Sequence, residues 1–392
     1  MDKDEQRDLV LREILSLKNN NILAELPTGY GKSKIAIELM KKRKAKKVLI
    51  VIPKNVLISN WKVEIDKWYP KSKADINFST YVSIPKNKGT WDMVIFDEGH
   101  RLSDRCREAL CDYNIKHSII LSATVSSNFK DELREVFDNL YCYKIGTKEA
   151  IESNVLPDPK VILLPLTLES KLPTEEMIIN PKAKGREVNI PYKGLWTAKR
   201  TKNVRFKVYM TQRQYYEEIS GLIEWYKKKR YLGYMKNRWL HACGERLKWL
   251  SDKKVAYTQR ILSKLIDVRT LTFCGSIEQT ELLGEYCINS KNKESQKIID
   301  LFNNRKINHI TAASMLDEGI NLAECKVGIY NNLNSSERII KQRLGRILRH
   351  KEPVVIIPYF KNTREEELVK VMLEDYNPNL VSVVNFIEEI DI

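Results

Sequence analysis

The sequence predicts an α/β protein: two lobes of parallel sheet flanked by helices, with a basic, mainly helical segment between them. Short, continuous apolar runs recur through the first 150 residues and again after about residue 266. Strands buried on both faces of a helix-covered parallel sheet require such runs, whereas half-exposed strands alternate. Amphipathic, helix-like stretches separate them. The net charge of +16 is concentrated: residues 171–264 hold 23 Lys and Arg against 8 Asp and Glu, and the rest of the chain is close to neutral. A basic block of that density is an electrostatic footprint for a polyanion.

In the first lobe, residues 1–157, the strand-like runs are Val48 to Ile52, Met93 to Phe96 and Ser118 to Leu121. Leu156-Pro157-Asp158-Pro159 marks a boundary, because proline continues neither a helix nor a central strand. The middle segment, 158–265, opens with a strand-like Val161 to Leu166 and a Pro/Lys/Gly-rich stretch around 180–194. Val204 to Met210 reads as a further strand, and basic, aromatic helical sequence follows to about Ile266. The second lobe, 266–392, repeats the grammar of the first at Leu271 to Cys274, His309 to Ala313, Val327 to Tyr330 and Val354 to Ile357. At 392 residues the chain exceeds one ordinary core. No apolar run approaches the ~18 residues of a membrane span. The N-terminus is charged rather than signal-like, and seven dispersed cysteines without a C-x-x-C pair fit a reducing intracellular compartment better than disulfides or zinc.

Leu26 to Ser33 read L-P-T-G-Y-G-K-S before a helix-like stretch. A glycine-rich turn opening a helix aims backbone N–H groups at phosphate oxygens. Pro27, Thr28, Gly29, Tyr30, Gly31, Lys32 and Ser33 form this candidate loop, Lys32 reaching the β/γ-phosphates of ATP and Ser33 a Mg²⁺ ion. Leu26 stands where the strict pattern has glycine. Trp91 to His100 read W-D-M-V-I-F-D-E-G-H, which sets Asp97 and Glu98 at the end of a buried strand. Asp97 is the metal carboxylate; Glu98 orients and deprotonates the attacking water. His100 couples this site to the facing lobe. Gln6, on a charged helix upstream, is the candidate adenine contact. Far downstream, Gln342 to Arg349 read Q-R-L-G-R-I-L-R. Arg346 and Arg349 share one helix face and suit a polyphosphate gaining charge during cleavage; the bland alternative is a solvated basic face.

Taken in order, these motifs resemble those of superfamily 2 helicases and translocases, with tandem RecA-like lobes. The matches are L-P-T-G-Y-G-K-S, V-I-P-K at Pro53-Lys54, D-E-G-H, Ser122-Ala123-Thr124, F-C-G-S at Phe273 to Ser276, D-E-G-I-N-L at Asp317 to Leu322, and Q-R-L-G-R-I-L-R. They cover roughly 1–150 and 266–360. Ile52-Pro53-Lys54 with Trp61 and Glu64, G-I-N-L, and Gln214-Tyr215-Tyr216 are similar to Swi/Snf-type duplex translocases, while the last motif is similar to phage branch-migration helicases and restriction motors. Asn321 replaces an aspartate many helicases carry. The resemblance implies ATP and Mg²⁺ in the cleft between lobes, with Arg346 and Arg349 as arginine fingers. Gly319 contacts the nucleotide, and His100, Ser122, Thr124 and Gln342 relay its state. It also implies a nucleic-acid strand tracked over Lys54, Thr80, Tyr81, Gly275, Ser276 and Thr311.

The middle segment carries Trp196, Trp225, Trp239 and Trp249 among basic clusters that include Lys227-Lys228-Lys229-Arg230. The helical spacing predicts that most of these tryptophans pack inward while the lysines and arginine face DNA, as a helical element pressing a duplex onto the motor. The run Lys41 to Lys47 reads as a helix C-terminus complementing the dipole. The expectation is a monomeric ATP-driven translocase or helicase on DNA. RNA helicase, a nucleic-acid-binding ATPase used as a switch, and a metabolic kinase are the alternatives; the last leaves the second arginine motif unexplained.

Overall fold

The computed structural model describes residues 3–86, 88–313, 322–334, 336–374 and 376–392. The first lobe runs α1 (Lys3–Ser16), β1 (Asn21–Glu25), α2 (Lys32–Lys42), β2 (Lys47–Ile52), α3 (Leu57–Trp68), β3 (Asp75–Thr80), β4 (Thr90–Asp97), α4 (Asp104–Leu110), β5 (Asn114–Ser122), α5 (Ser127–Arg134), β6 (Tyr141–Lys144) and α6 (Thr147–Glu152). Its strands form an all-parallel sheet in the order β3-β2-β4-β5-β1-β6. The continuous apolar runs do what their composition demands: Val48 to Ile52 are buried throughout, as are Met93 to Phe96. Because the strands are all parallel, the loops after β1 and β4, two positions apart in the sheet, open at the same carboxyl end, where α/β folds place ligands. Helix α2 ends at Lys42, with Lys41 and Lys42 in its last turn.

The next strand, β7 (Lys160–Leu166), leaves the first lobe. A small unit follows: β8 (Glu175–Ile179), β9 (Glu187–Pro191), α7 (Leu195–Arg200) and β10 (Arg205–Met210), with sheet order β8-β10-β9. Then come α8 (Gln212–Lys228) and α9 (Gly233–Lys253), packed as a long hairpin, and α10 (Val255–Lys264). Thr211 starts α8 through a reciprocal cap with Gln214. The second lobe adds β11 (Thr270–Cys274), α11 (Ile277–Leu283), β12 (Cys287–Ile288), α12 (Ser295–Asn303), β13 (His309–Ala313), β14 (Val327–Tyr330), α13 (Glu337–Ile347), β15 (Val354–Phe360), α14 (Arg364–Leu373) and β16 (Val381–Val383).

The second sheet is also parallel throughout, in the order β12-β13-β11-β14-β15-β7-β16. The boundaries read from the sequence need adjusting here. Val161 to Leu166, assigned to the middle segment, pair with β15 from Lys160 opposite Val354 to Leu166 opposite Phe360. A strand this apolar needs neighbours on both sides and helices on both faces, which the small three-stranded sheet does not offer. Helix α10 likewise belongs to the second lobe: Ile261 and Leu262 pack with Ile162, Leu164 and Ile356. Between α9 and α10, Lys254 is wholly buried and paired at 2.6 Å with the equally buried Glu365. This pair anchors the hairpin to the second lobe.

Candidate active site

The phosphate loop follows β1 directly. Gly29 and Gly31 take φ of +89° and +93°, a region where L side chains are strained, so glycine is required at both turns. Gly31 is the N-cap of α2, so Lys32 and Ser33 open the helix and its free N–H groups face the loop. Lys32 Nζ rests 3.3 Å from the Leu26 carbonyl.

The loop faces a cavity of about 530 Å³ that draws on both lobes. From the first lobe it is lined by Thr28, Gly29, Gly31, Lys32, Ser33, Asp97 and Glu98, and by Trp61 and Glu64 of α3; from the second by Arg346, Leu348 and Arg349. The phosphate loop and the distant arginines thus line one space. Burial lowers the pKa of the Arg349 guanidinium, which also donates to the Leu322 carbonyl. Gln342, one turn before Arg346, is 2 % exposed and leaves both amide atoms without a hydrogen-bond partner. A buried amide with nothing to bond is costly unless a ligand or a moved side chain completes it.

Asp97 ends β4 and is locked from two sides. Trp61 Nε1 donates to its Oδ2 at 3.0 Å, and the Tyr81 hydroxyl donates to its carbonyl at 2.6 Å. Burial, with the Glu98 carboxylate beside it, raises the Asp97 pKa to about 6, against the pull of the Trp61 bond and Lys32. Glu98 sits at φ +54°, the left-handed turn that lets the chain reverse after the strand. Gly99 permits that turn, since a Cβ there would lie 2.1 Å from Ile120 Cγ2. His100 Nδ1 is 3.4 Å from Glu98 Oε2 and 3.2 Å from Ser122 Oγ, which donates to the Thr124 carbonyl at 3.0 Å. Hydrogen bonds thus run from His100 through Ser122 to Thr124, with the Glu98 carboxylate within ion-pair distance of the imidazole.

Other sequence assignments fall elsewhere. Tyr30 is 2 % exposed and packs in the core, so its ring, like that of Pro27, does not line the cavity. Gln6 is not among the lining residues; its neighbour Arg7 is, and donates to the Gly29 carbonyl. Gly319 lies outside the described residues, as does most of D-E-G-I-N-L. Of the nucleic-acid candidates, Lys54 and Gly275 are exposed and Thr80 and Ser276 half-buried. Tyr81 is a correction: it is 6 % exposed and serves Asp97. Thr311 is another, being 2 % exposed with its hydroxyl on the Thr280 carbonyl. Lys227, Lys228 and Arg230 are exposed and Lys229 half-buried at the far end of α8. The tryptophans do not pack as expected: Trp196 is 64 % and Trp225 45 % exposed, and Trp239 and Trp249 are half-buried.

Sequence reasoning missed Gly345. A Cβ there would lie 2.3 Å from Thr28 Cβ, so α13 touches the phosphate loop through a glycine. It also missed Trp61 as the partner of Asp97, although that residue stood out among the Swi/Snf-like letters.

A model described as "Type III restriction enzyme, res subunit" matches residues 3–127, and one described as "Helicase conserved C-terminal domain" matches 253–351. The DNA 3'-5' translocase XPB2 of Sulfurisphaera tokodaii is 22 % identical over 384 residues, covering 91 % of this chain and 81 % of the relative. Among solved structures, the Pyrococcus furiosus Hef helicase domain superposes with a TM-score of 0.51 at 16 % identity, covering 93 % of this chain and 97 % of that one. S. cerevisiae Dbp5 bound to RNA and ADP BeF3 gives 0.59 at 11 % identity, covering 97 % and 89 %. Among the described residues no helix is long and apolar enough to cross a membrane. With two parallel-sheet lobes meeting over one phosphate loop, the first matched by a restriction-enzyme res-subunit model and the second by a helicase C-terminal-domain model, the chain has the make-up of a superfamily 2 helicase or translocase, a nucleic-acid-dependent ATPase.

Proposed function

We propose that this chain is an ATP-driven DNA translocase or helicase, working as a monomer on duplex or branched DNA. The observation that carries the reading is the single cavity shared by Lys32, Asp97 and Glu98 of one lobe and Arg346 and Arg349 of the other. A kinase or a passive switch needs no second-lobe arginines over its phosphate loop. DNA is favoured over RNA because the relative matched over most of the chain is a DNA translocase, and a restriction-enzyme model matches the first lobe.

The residues present fit ATP with Mg²⁺. The α2 N-terminus and Lys32 hold the β/γ-phosphates; Ser33 and Asp97 offer the hydroxyl and carboxylate that Mg²⁺ takes. When bound, Mg²⁺ neutralises charge on the phosphate oxygens. Glu98 accepts the proton of the attacking water and passes its state through His100 to Ser122 and Thr124. Arg346 and Arg349 stabilise the charge that develops on the transferred phosphoryl group only when the lobes are closed, so hydrolysis is tied to lobe position. Gln342 adds an amide that senses the same closure. Opening and closing step one lobe along the strand, held at Lys54, Thr80, Gly275 and Ser276 mainly through phosphates.

The test is steady-state ATP hydrolysis without polymer and with single-stranded, duplex and forked DNA and with RNA, alongside Glu98→Gln. DNA stimulation abolished in Glu98→Gln supports the reading. No stimulation by any polymer refutes it, and stimulation by RNA alone makes it an RNA helicase.

A further inference from the structure

We infer that the tip of the α8–α9 hairpin is a stacking platform for unpaired bases, which makes DNA with single-stranded arms beside a duplex the preferred substrate of this chain. The inference rests on the DNA-motor reading above and concerns residues that do not line the nucleotide cavity.

The tip exposes rings that a folded chain ordinarily buries. Tyr231 is 79 %, Tyr234 60 % and Trp225 45 % exposed. Between Glu224 and Glu245 there is no carboxylate, while Lys227, Lys228, Lys229, Arg230, Lys236 and Arg238 are all cationic. The cations hold the rings by their faces: Lys229 Nζ is 4.3 Å from the Trp225 ring centre, and the Arg238 guanidinium 5.9 Å from that of Tyr234. A row of cations alone would fit the phosphates of any duplex. Exposed rings among those cations fit something more specific, a polyanion that also presents flat apolar faces. Duplex DNA hides those faces in its stack and offers them only where strands part. A protein partner would need a surface both acidic and apolar, and would gain nothing from face-mounted cations.

The placement suits this. The base of α9 is tied beside the end of β11: Gln279 Nε2 donates to Ser251 Oγ and Asp252 Oδ1, and Gln279 Oε1 accepts from the Gly275 N–H. From there α9 extends for 21 residues. At 1.5 Å per residue that puts the tip roughly 30 Å away from the strand end where Gly275 and Ser276 stand. A duplex held at that rim would reach the tip after about nine base pairs at 3.4 Å each.

The experiment is equilibrium binding by fluorescence anisotropy at one salt concentration. Wild type, Tyr231→Ala/Tyr234→Ala and Tyr231→Phe/Tyr234→Phe are compared on a blunt duplex, a fork with DNA arms, the same fork with abasic arms, and a fork with RNA arms. Loss of stacking on one base corresponds to about tenfold or more in affinity. The alanine variant should therefore lose about tenfold on the DNA fork and under twofold on the blunt duplex, with the phenylalanine variant near wild type. Wild type should lose as much on abasic arms, and RNA arms should bind about as well as DNA arms because the faces of the bases are shared. The salt dependence of the alanine variant should match wild type, since no charge is removed. Equal affinity of wild type for native and abasic forks overturns the inference and leaves the tip to a protein partner. So does a loss on blunt duplex as large as on the fork. Failure of the motor reading looks different: no polymer would stimulate hydrolysis by the wild type.

Discussion

Gly345→Ala separates two effects that usually travel together. Within α13, alanine in place of glycine should favour the helix by up to about 1 kcal/mol. The same methyl group, however, would sit 2.3 Å from Thr28 Cβ, 2.8 Å from its Cγ2 and 3.1 Å from its Oγ1. Carbon atoms settle at about 3.5–4.0 Å, so the lobes must part by about 1.2–1.7 Å at this contact. Thr28 cannot simply yield, because the loop around it is fixed by the turns at Gly29 and Gly31. Arg346, the next residue, retreats with the helix. A misplacement near 1 Å of a group acting on the transition state costs on the order of 100-fold in rate. Polymer-stimulated turnover of Gly345→Ala should therefore fall about 100-fold while nucleotide affinity, set chiefly by the first lobe, changes only a few-fold. Thermal stability should hold or rise. Steady-state ATPase assays, titration with a fluorescent nucleotide and a melting curve measure the three quantities. Turnover within about threefold of wild type would refute the closure argument, and lost turnover accompanied by a lower melting temperature would reduce it to misfolding.

Three further substitutions probe the supports of the site. Asp97→Asn should stabilise the nucleotide-free protein in chelator. An acid raised to about 6 on folding binds more protons folded than unfolded, so its cost is absent below the unfolded value of 3.8 and fully present above 6. That shift is worth about 2–3 kcal/mol. Chemical melts across pH should show the advantage at pH 7.5 and none near pH 4; a constant advantage would contradict the assignment. Trp61→Phe keeps the ring and removes the donor to Asp97, so the Mg²⁺ concentration for half-maximal hydrolysis should rise several-fold with little change in turnover at saturation. An unchanged Mg²⁺ titration would show the bond to be incidental. Lys254→Met should destabilise by about 3–5 kcal/mol because it leaves the Glu365 carboxylate buried without its cation. A urea midpoint that barely moves would mean water reaches the pair.

The chemistry of this chain was legible where it is local and the packing was not. The phosphate loop and D-E-G-H are contiguous, and each letter is dictated by a turn or a charge the neighbouring residues already imply. Pairing of Lys160–Leu166 with Val354–Phe360 is different, since both are ordinary apolar strands until the fold joins them. Thr311 went astray because strand side chains alternate, and a polar strand residue reads the same whether it points out or, as here, inward to Thr280. Tyr81 went astray because the strand ends at Thr80 and a short 3-10 turn carries its ring inward to Asp97. Gly345 reads as a weak spot in a helix, and only the facing lobe shows that its missing side chain is the contact. The tryptophans misled because helical spacing implies an inward face without saying how much partner surface exists. Helices α8 and α9 pack on each other, on the small sheet unit through Glu218 and Glu175, and on the second lobe, while Tyr231 and Tyr234 at their far end stay exposed.

How the two ends of the second lobe are joined follows from its buried amides. Asn331 accepts from Thr258 of α10 and donates to the Ser251 carbonyl of α9 and to Gln279 of α11. The adjacent Asn332 carbonyl accepts from Arg343 of α13, three residues before Arg346. Gly275 closes the same knot, as a Cβ there would be 2.7 Å from Asn332 Nδ2. Thus the helix that touches the phosphate loop, the strand end proposed to hold DNA and the base of the hairpin all bear on two consecutive asparagines. Satisfied polar groups at this depth specify one arrangement and resist shear. The second lobe and its hairpin should consequently turn as one body when α13 meets or leaves Thr28. With an arm of roughly 30 Å, a tilt of about 6.5° carries the tip about 3.4 Å, the spacing of bases along a strand. A small closure at Gly345 would then move a base stacked on the tip by one position, without any element of the lobe having to deform.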